Sequence, residues 1–119
     1  MEKYEISFDE IRDILTQEHY QKDDIVELEK AFEFAKKLHD GQFRISEEPY
    51  IIHPMEVVKI LISLRADMHT LMAGFLHDIL EDTDTKPEEI KELFGEDVLN
   101  LVQGVTKLGK HLYSTISRV

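Results

Sequence analysis

The stretch Phe75–Thr83 reads FLHDILEDT and sets a histidine and three carboxylates, His77, Asp78, Glu81 and Asp82, into an otherwise apolar segment. An adjacent His and Asp supply a neutral imidazole and a carboxylate, a donor pair that suits a borderline divalent ion such as Mn, Fe or Zn. On a helix advancing about 100° per residue, Glu81 falls about 40° from His77, Asp78 about 100° and Asp82 about 140°. All four then share less than half of the circumference, and Met72, Ala73, Leu76, Ile79 and Leu80 fill the opposite arc. Gly74 lies beneath the middle of the polar sector. Glycine costs a helix interior about 1 kcal/mol relative to alanine, so it points to a need for space there. The alternative is an amphipathic helix with a solvated polar face. Against it stand the apolar turns TLMAGFL before His77 and the lack of cations nearby to neutralise the cluster. From these residues alone both readings stand.

A metal needs more ligands, and five further histidines are available. His19, His39, His69 and His111 sit among polar residues or at element ends and are expected on the surface. His53 stands before Pro54 and behind YII, at the N-terminal edge of a helix. It is either a helix cap or a ligand projecting from a neighbouring helix end.

Helical patterning dominates the elements that must position these groups. Ser7–Glu10 (SFDE) forms a capping-box pattern ahead of Ile11, Ile14 and Leu15 at helical spacing. Asp24–Glu27 opens a second helix through Leu28, Ala31, Phe32, Ala35 and Leu38, closed by Gly41. QFRISEEPY breaks the pattern as a loop. His53-Pro54 starts a third helix, with proline at the first helical position and a long apolar face from Val57 to Leu64. Asp67 is the expected cap of the helix carrying His77. TKPEE starts another helix, Gly95 stops it, and a last helix runs from Glu96 to about Lys110. There is no strand-period alternation and no repeat. The predicted fold is an all-α bundle of about six helices. The C-terminal KHLYSTISRV has neither an apolar helical face nor a clean stop, and reads as a domain continuing beyond the chain.

The chain has 119 residues, 42% apolar and 33% charged, which fits one globular domain. It has no cysteine, so disulfides and thiolate metal sites are excluded. The acidic MEKYEISFDE is unlike a secretory signal and no apolar run approaches a membrane span, so the cytosol is the expected setting. A net charge of −11 argues against nucleic acid or an anionic membrane as partner. An anionic small molecule would need a local cation, either a bound metal or clustered Lys and Arg.

Three segments occur in order: HDGQFRISEEPYIIHP (His39–Pro54), AGFLHDILEDT (Ala73–Thr83) and LFGEDVLNLVQGVTKL (Leu93–Leu108). Together they resemble the N-terminal hydrolase domain of the RelA/SpoT family, the bifunctional guanosine tetraphosphate synthetase/hydrolases. That domain belongs to the HD superfamily of metal-dependent phosphohydrolases. The resemblance implies an HD-type helical bundle whose C-terminal part, like the synthetase domain, lies outside this chain. It implies a manganese ion held by His53, His77, Asp78 and an aspartate from a later helix. It also implies water activation by Glu81 and Asp82, guanine stacking on Arg44, and a place for Ser46 in the same substrate loop.

The implied reaction is hydrolysis of the 3′-pyrophosphate of ppGpp or pppGpp to pyrophosphate and GDP or GTP. Two departures bear on it. The family's RKSGEPY loop reads RISEEPY here, so lysine and glycine are replaced by Ile45 and Glu47. The later helix with the fourth ligand is absent from the chain, and weak activity is the expectation. Local positive charge comes from Arg44, Lys36, Lys37, Lys107 and Lys110. The alternatives are an HD phosphohydrolase for another nucleotide and a non-catalytic regulatory or ligand-binding helical module.

Overall fold

The computed structural model describes residues 6–104. Six helices follow in order: α1 (Asp9–Gln17), α2 (Lys22–Leu38), α3 (Ile52–Ser63), α4 (Met68–Leu76), α5 (Ile79–Asp82) and α6 (Pro87–Phe94). Helical backbone returns over 96–104, and no strand occurs among the described residues. The rest of the expected last helix and the stretch from Lys110 onward, including Lys107, Lys110 and His111, lie outside them.

Packing centres on α4, where every residue from Leu71 to Leu76 is buried. An amphipathic helix buries one stripe, whereas a helix apolar all round must sit inside. Here α4 packs against both α2 and α3. Phe8, Phe32 and Phe75 meet at its centre with ring centroids 5.5, 5.7 and 6.4 Å apart. Burying each such ring contributes about 1.5–3 kcal/mol. Tyr20 ties two chain reversals together by donating its hydroxyl to the Ala66 carbonyl at 2.8 Å.

Several helix ends differ from the sequence-based expectation. The capping box is not formed: Phe8 is the N-cap of α1 with no side-chain cap, and Glu10 pairs instead with Lys59 at 2.9 Å. Helix α2 begins at Lys22, ahead of Asp24. Helix α3 begins at Ile52, so His53 lies inside the first turn rather than capping it. Proline fits there because the first N–H groups of a helix have no intrahelical acceptor. Asp67 does cap α4, accepting the Thr70 N–H at 2.8 Å. That bond holds its carboxyl below the usual range. Gly95 ends α6 at φ +98°, a conformation open to glycine.

The apolar face expected from Val57 to Leu64 is only partly buried. Val58 and Ile62 are inside, whereas Ile60 and Leu64 are 61% and 72% exposed. Two residues along a helix is a rotation of about 200°, so the four cannot share one face.

The helix expected to run through His77 is interrupted. α4 stops at Leu76, His77 and Asp78 form a turn, and α5 restarts at Ile79. In an uninterrupted helix the Gly74 carbonyl would take the Asp78 N–H; here it accepts from His77 Nδ1 at 2.8 Å. A side chain has competed with the backbone for a helical acceptor, much as capping side chains do.

Candidate metal centre

The turn at 77–78 brings His77 and Asp78 to the edge of the bundle nearest the first turn of α3, which carries His53. Gly74 permits this approach. A Cβ built on Gly74 would lie 3.0 Å from Leu61 Cδ1 and 3.1 Å from Val58 Cγ2, both on α3. A side chain there would crowd both of these α3 side chains.

One donor atom each from His53, His77 and Asp78 lies within 4.8 Å of the others. Asp78 Oδ2 is 3.2 Å from His77 Nε2 and 3.8 Å from His53 Nε2. Two donors each about 2.1 Å from one ion stand about 3 Å apart when they meet it at right angles, so the spacing suits a shared cation. All three groups are half-buried.

Donor chemistry points the same way. His77 Nδ1 donates to the Gly74 carbonyl, which commits the proton of a neutral ring to Nδ1 and leaves a lone pair on Nε2. That lone pair then faces a carboxylate oxygen at 3.2 Å. Two lone pairs face each other favourably only with a proton or a metal ion between them. Burial works against charging either group, but their mutual bond outweighs it: His77 titrates above its ordinary range and Asp78 below. Both shifts report a site that favours positive charge between them.

Glu81 and Asp82 follow on α5, and both are exposed. They do not join the three converging donors. Asp82 nevertheless acts on the site, since its charge favours the charged form of His77 and the protonated form of Tyr50.

Arg44 and Ser46 lie on the loop between α2 and α3, which is more ordered than the composition implies. Phe43 and Pro49 form an antiparallel bridge, and Tyr50 donates its N–H to the Gln42 carbonyl at 2.9 Å. Ser46 donates to Glu48 Oε1 at 2.9 Å, and Arg44 pairs loosely with the same oxygen at 3.9 Å. One carboxylate thus gathers both side chains. Lys36, counted above among the local cations, is occupied elsewhere: it donates to the Ile6 carbonyl at 2.9 Å and lies over the Phe32 ring.

Glu47 occupies φ +71° at the turn of this loop. A non-glycine residue pays about 1–2 kcal/mol in the left-handed region, part of which glycine returns through its freer unfolded chain. Glu47→Gly is therefore expected to stabilise the protein by about 0.5–1 kcal/mol, read as a higher urea midpoint at unchanged slope. A lower midpoint would mean that Glu47 makes a compensating contact.

Two residues escaped the sequence reading. His39, expected on the surface, is only 3% exposed; its ring packs 4.7 Å from Tyr50 and its Nδ1 lies 3.0 Å from Gln42 Oε1. Tyr50 donates its hydroxyl to Asp78 Oδ2 at 2.8 Å. Burial and that bond push its pKa well up, so the phenol keeps the proton it donates. Its place three residues before His53, in the turn that leads into α3, was the available signal.

The sequence pattern of the HD domain matches residues 31–115, most of the chain and all of this site. The chain belongs to the HD-domain family. This HD domain is 55% identical over 89 residues to a guanosine-3′,5′-bis(diphosphate) 3′-pyrophosphohydrolase of Aquifex aeolicus, covering 75% of the chain and 13% of that protein. It is 45% identical over 96 residues to the bifunctional (p)ppGpp synthase/hydrolase SpoT of Escherichia coli K12, covering 81% of the chain and 14% of that protein. It thus spans about one seventh of the length of these relatives. Among solved structures it resembles a metazoan ortholog of SpoT that hydrolyzes ppGpp. The TM-score is 0.63 and the identity 38%, over 67% of this chain and 47% of that one. No helix among the described residues is long and apolar enough to cross a membrane.

Proposed function

We propose that this HD domain serves a Mn²⁺-dependent hydrolysis of the 3′-pyrophosphate of ppGpp and pppGpp, as the N-terminal portion of a longer synthetase/hydrolase. The observation that carries the reading is the meeting of His53, His77 and Asp78 donors from two parts of the bundle. It stands in a chain 44–55% identical to relatives whose names include that reaction.

His53, His77 and Asp78 would hold the ion. Two neutral imidazoles and one carboxylate leave a divalent ion with net positive charge, which answers how so acidic a chain takes a polyanion. The ion supplies Lewis acidity toward water and toward a phosphoryl oxygen. Glu81 takes the proton of the attacking water, and Asp82 shares that work or steadies the site from behind. Attack at the phosphorus next to the ribose releases pyrophosphate, and O3′ leaves with a proton. Arg44 stacks its planar guanidinium on guanine while Ser46 hydrogen-bonds the substrate. A cytosolic setting belongs to the same reading, supported by an acidic, cysteine-free chain.

The test is pyrophosphate release with Mn²⁺ across a panel of nucleotides. We expect ppGpp and pppGpp to lead the panel, and a longer chain carrying the fourth ligand to outpace the 119-residue one. Arg44→Lys should weaken ppGpp binding in that longer chain without changing its metal content. Release from neither chain, or no preference among nucleotides, overturns the proposal.

A second reading keeps the chemistry and changes the nucleotide. It is favoured by Ile45, fully exposed on the loop where the family pattern has a lysine. A different nucleotide leading the same panel would establish it.

A further inference from the structure

Asp78 precedes α5, but its backbone is helical at φ −89° and ψ −8°, unlike the extended backbone from which an aspartate caps a helix. Its side chain makes no capping bond. Its Oδ2 accepts the Tyr50 hydroxyl at 2.8 Å and faces the two imidazoles. The Asp78 backbone is held by the Asp82 N–H, which donates to its carbonyl at 2.9 Å, but that bond leaves the direction of the carboxylate open.

We infer that Tyr50 is the positioning residue that holds the Asp78 carboxylate toward His53 and His77. The inference rests on the metal reading above.

Tyr50 is itself well held. Its ring packs 4.7 Å from that of buried His39 and meets the His53 ring edge-on at 6.0 Å. Its N–H bonds the Gln42 carbonyl at 2.9 Å, and the Gln42 side chain holds His39 Nδ1. Gln42 Nε2 also reaches the Asp82 carbonyl at 3.4 Å, closing the link back to α5. The hydroxyl is therefore delivered from a braced ring, as groups behind metal ligands commonly are. His39 Nε2 has no partner among the described residues. The imidazole thus leaves one buried nitrogen unsatisfied while its ring backs Tyr50.

The experiment is a Mn²⁺ titration of the 119-residue chain, with helicity recorded for each variant. Tyr50→Phe keeps the ring against His39 and removes only the hydroxyl. We expect it to weaken Mn²⁺ binding about tenfold at unchanged helicity, the lower end of what outer partners of metal ligands contribute. Because Tyr50 acts through Asp78, adding Tyr50→Phe to Asp78→Ala, which leaves the hydroxyl no oxygen to hold, should cost little further affinity. Parent-like affinity in Tyr50→Phe overturns the inference. So does the same tenfold loss in the Asp78→Ala background, which would mark a general structural effect. If His77→Ala also binds like the parent, the metal reading itself has failed and the inference falls with it; parent-like binding by Tyr50→Phe alone leaves that reading standing.

Discussion

His77→Ala is expected to abolish Mn²⁺ binding, a loss of more than about a hundredfold, since removing a ligand exceeds the 10–100-fold typical of its outer partners. The imidazole is the best-prepared of the three donors. Its Nδ1 is committed to the Gly74 carbonyl at 2.8 Å, so Nε2 is presented as a lone pair with no choice of tautomer left to make. A water filling the truncated space would lack both that orientation and the imidazole's affinity for borderline ions. The fold should survive, because the ring is half-buried at a turn and contributes little to the core. Asp78→Asn should weaken binding less drastically, by removing charge while keeping an oxygen in place. His69→Ala is the appropriate control, being exposed on the first turn of α4. His39→Ala is not, since that ring is buried against Tyr50. Titration with Mn²⁺ at matched helicity decides the matter. Parent-like binding by His77→Ala would reduce the whole cluster to a solvated polar face.

The second large effect is expected from Gly74→Val, at about 2–3 kcal/mol of lost stability in urea unfolding. Its Cβ alone would meet Leu61 and Val58 at 3.0 and 3.1 Å, closer than ordinary carbon contacts allow. The two further methyls of valine add bulk beside a position that is already tight for the first carbon. Overfilling a packed core costs about 1–3 kcal/mol because side chains leave their rotamers and backbones shift. Here the shift has a chemical consequence. Moving α3 off α4 carries His53 away from His77 and Asp78, so the folded fraction should also bind Mn²⁺ more weakly. Gly74→Ala is the informative intermediate: better helix propensity by about 1 kcal/mol opposes a milder clash. A Gly74→Val protein of parental stability would mean that the α3–α4 spacing is not set by this glycine.

Much of this molecule follows from its sequence alone. Helical periodicity, Asp67 as a cap, Pro87 at a helix start and Gly95 at a stop are local choices, each determined by a few neighbouring residues, and the structure realises them. The central place of α4 follows from a run apolar on every side, which water cannot accommodate. Gly74 likewise signalled close packing, because an internal glycine costs a helix stability unless space requires it. What the tertiary structure decided are the outcomes of competition between distant groups. The SFDE pattern lost its capping box when Glu10 found Lys59 across the bundle. Helical phase assigned His77, Asp78, Glu81 and Asp82 to one continuous face, but the His77 side chain took the carbonyl that would have continued the helix. His39 looked like a surface residue by its polar neighbours Asp40 and Gln42; only the fold of the following loop brought Tyr50 back over it. Periodicity reports which face of an element is apolar. It carries no information on which loop returns to cover a polar one, and that return is what placed Tyr50 on Asp78.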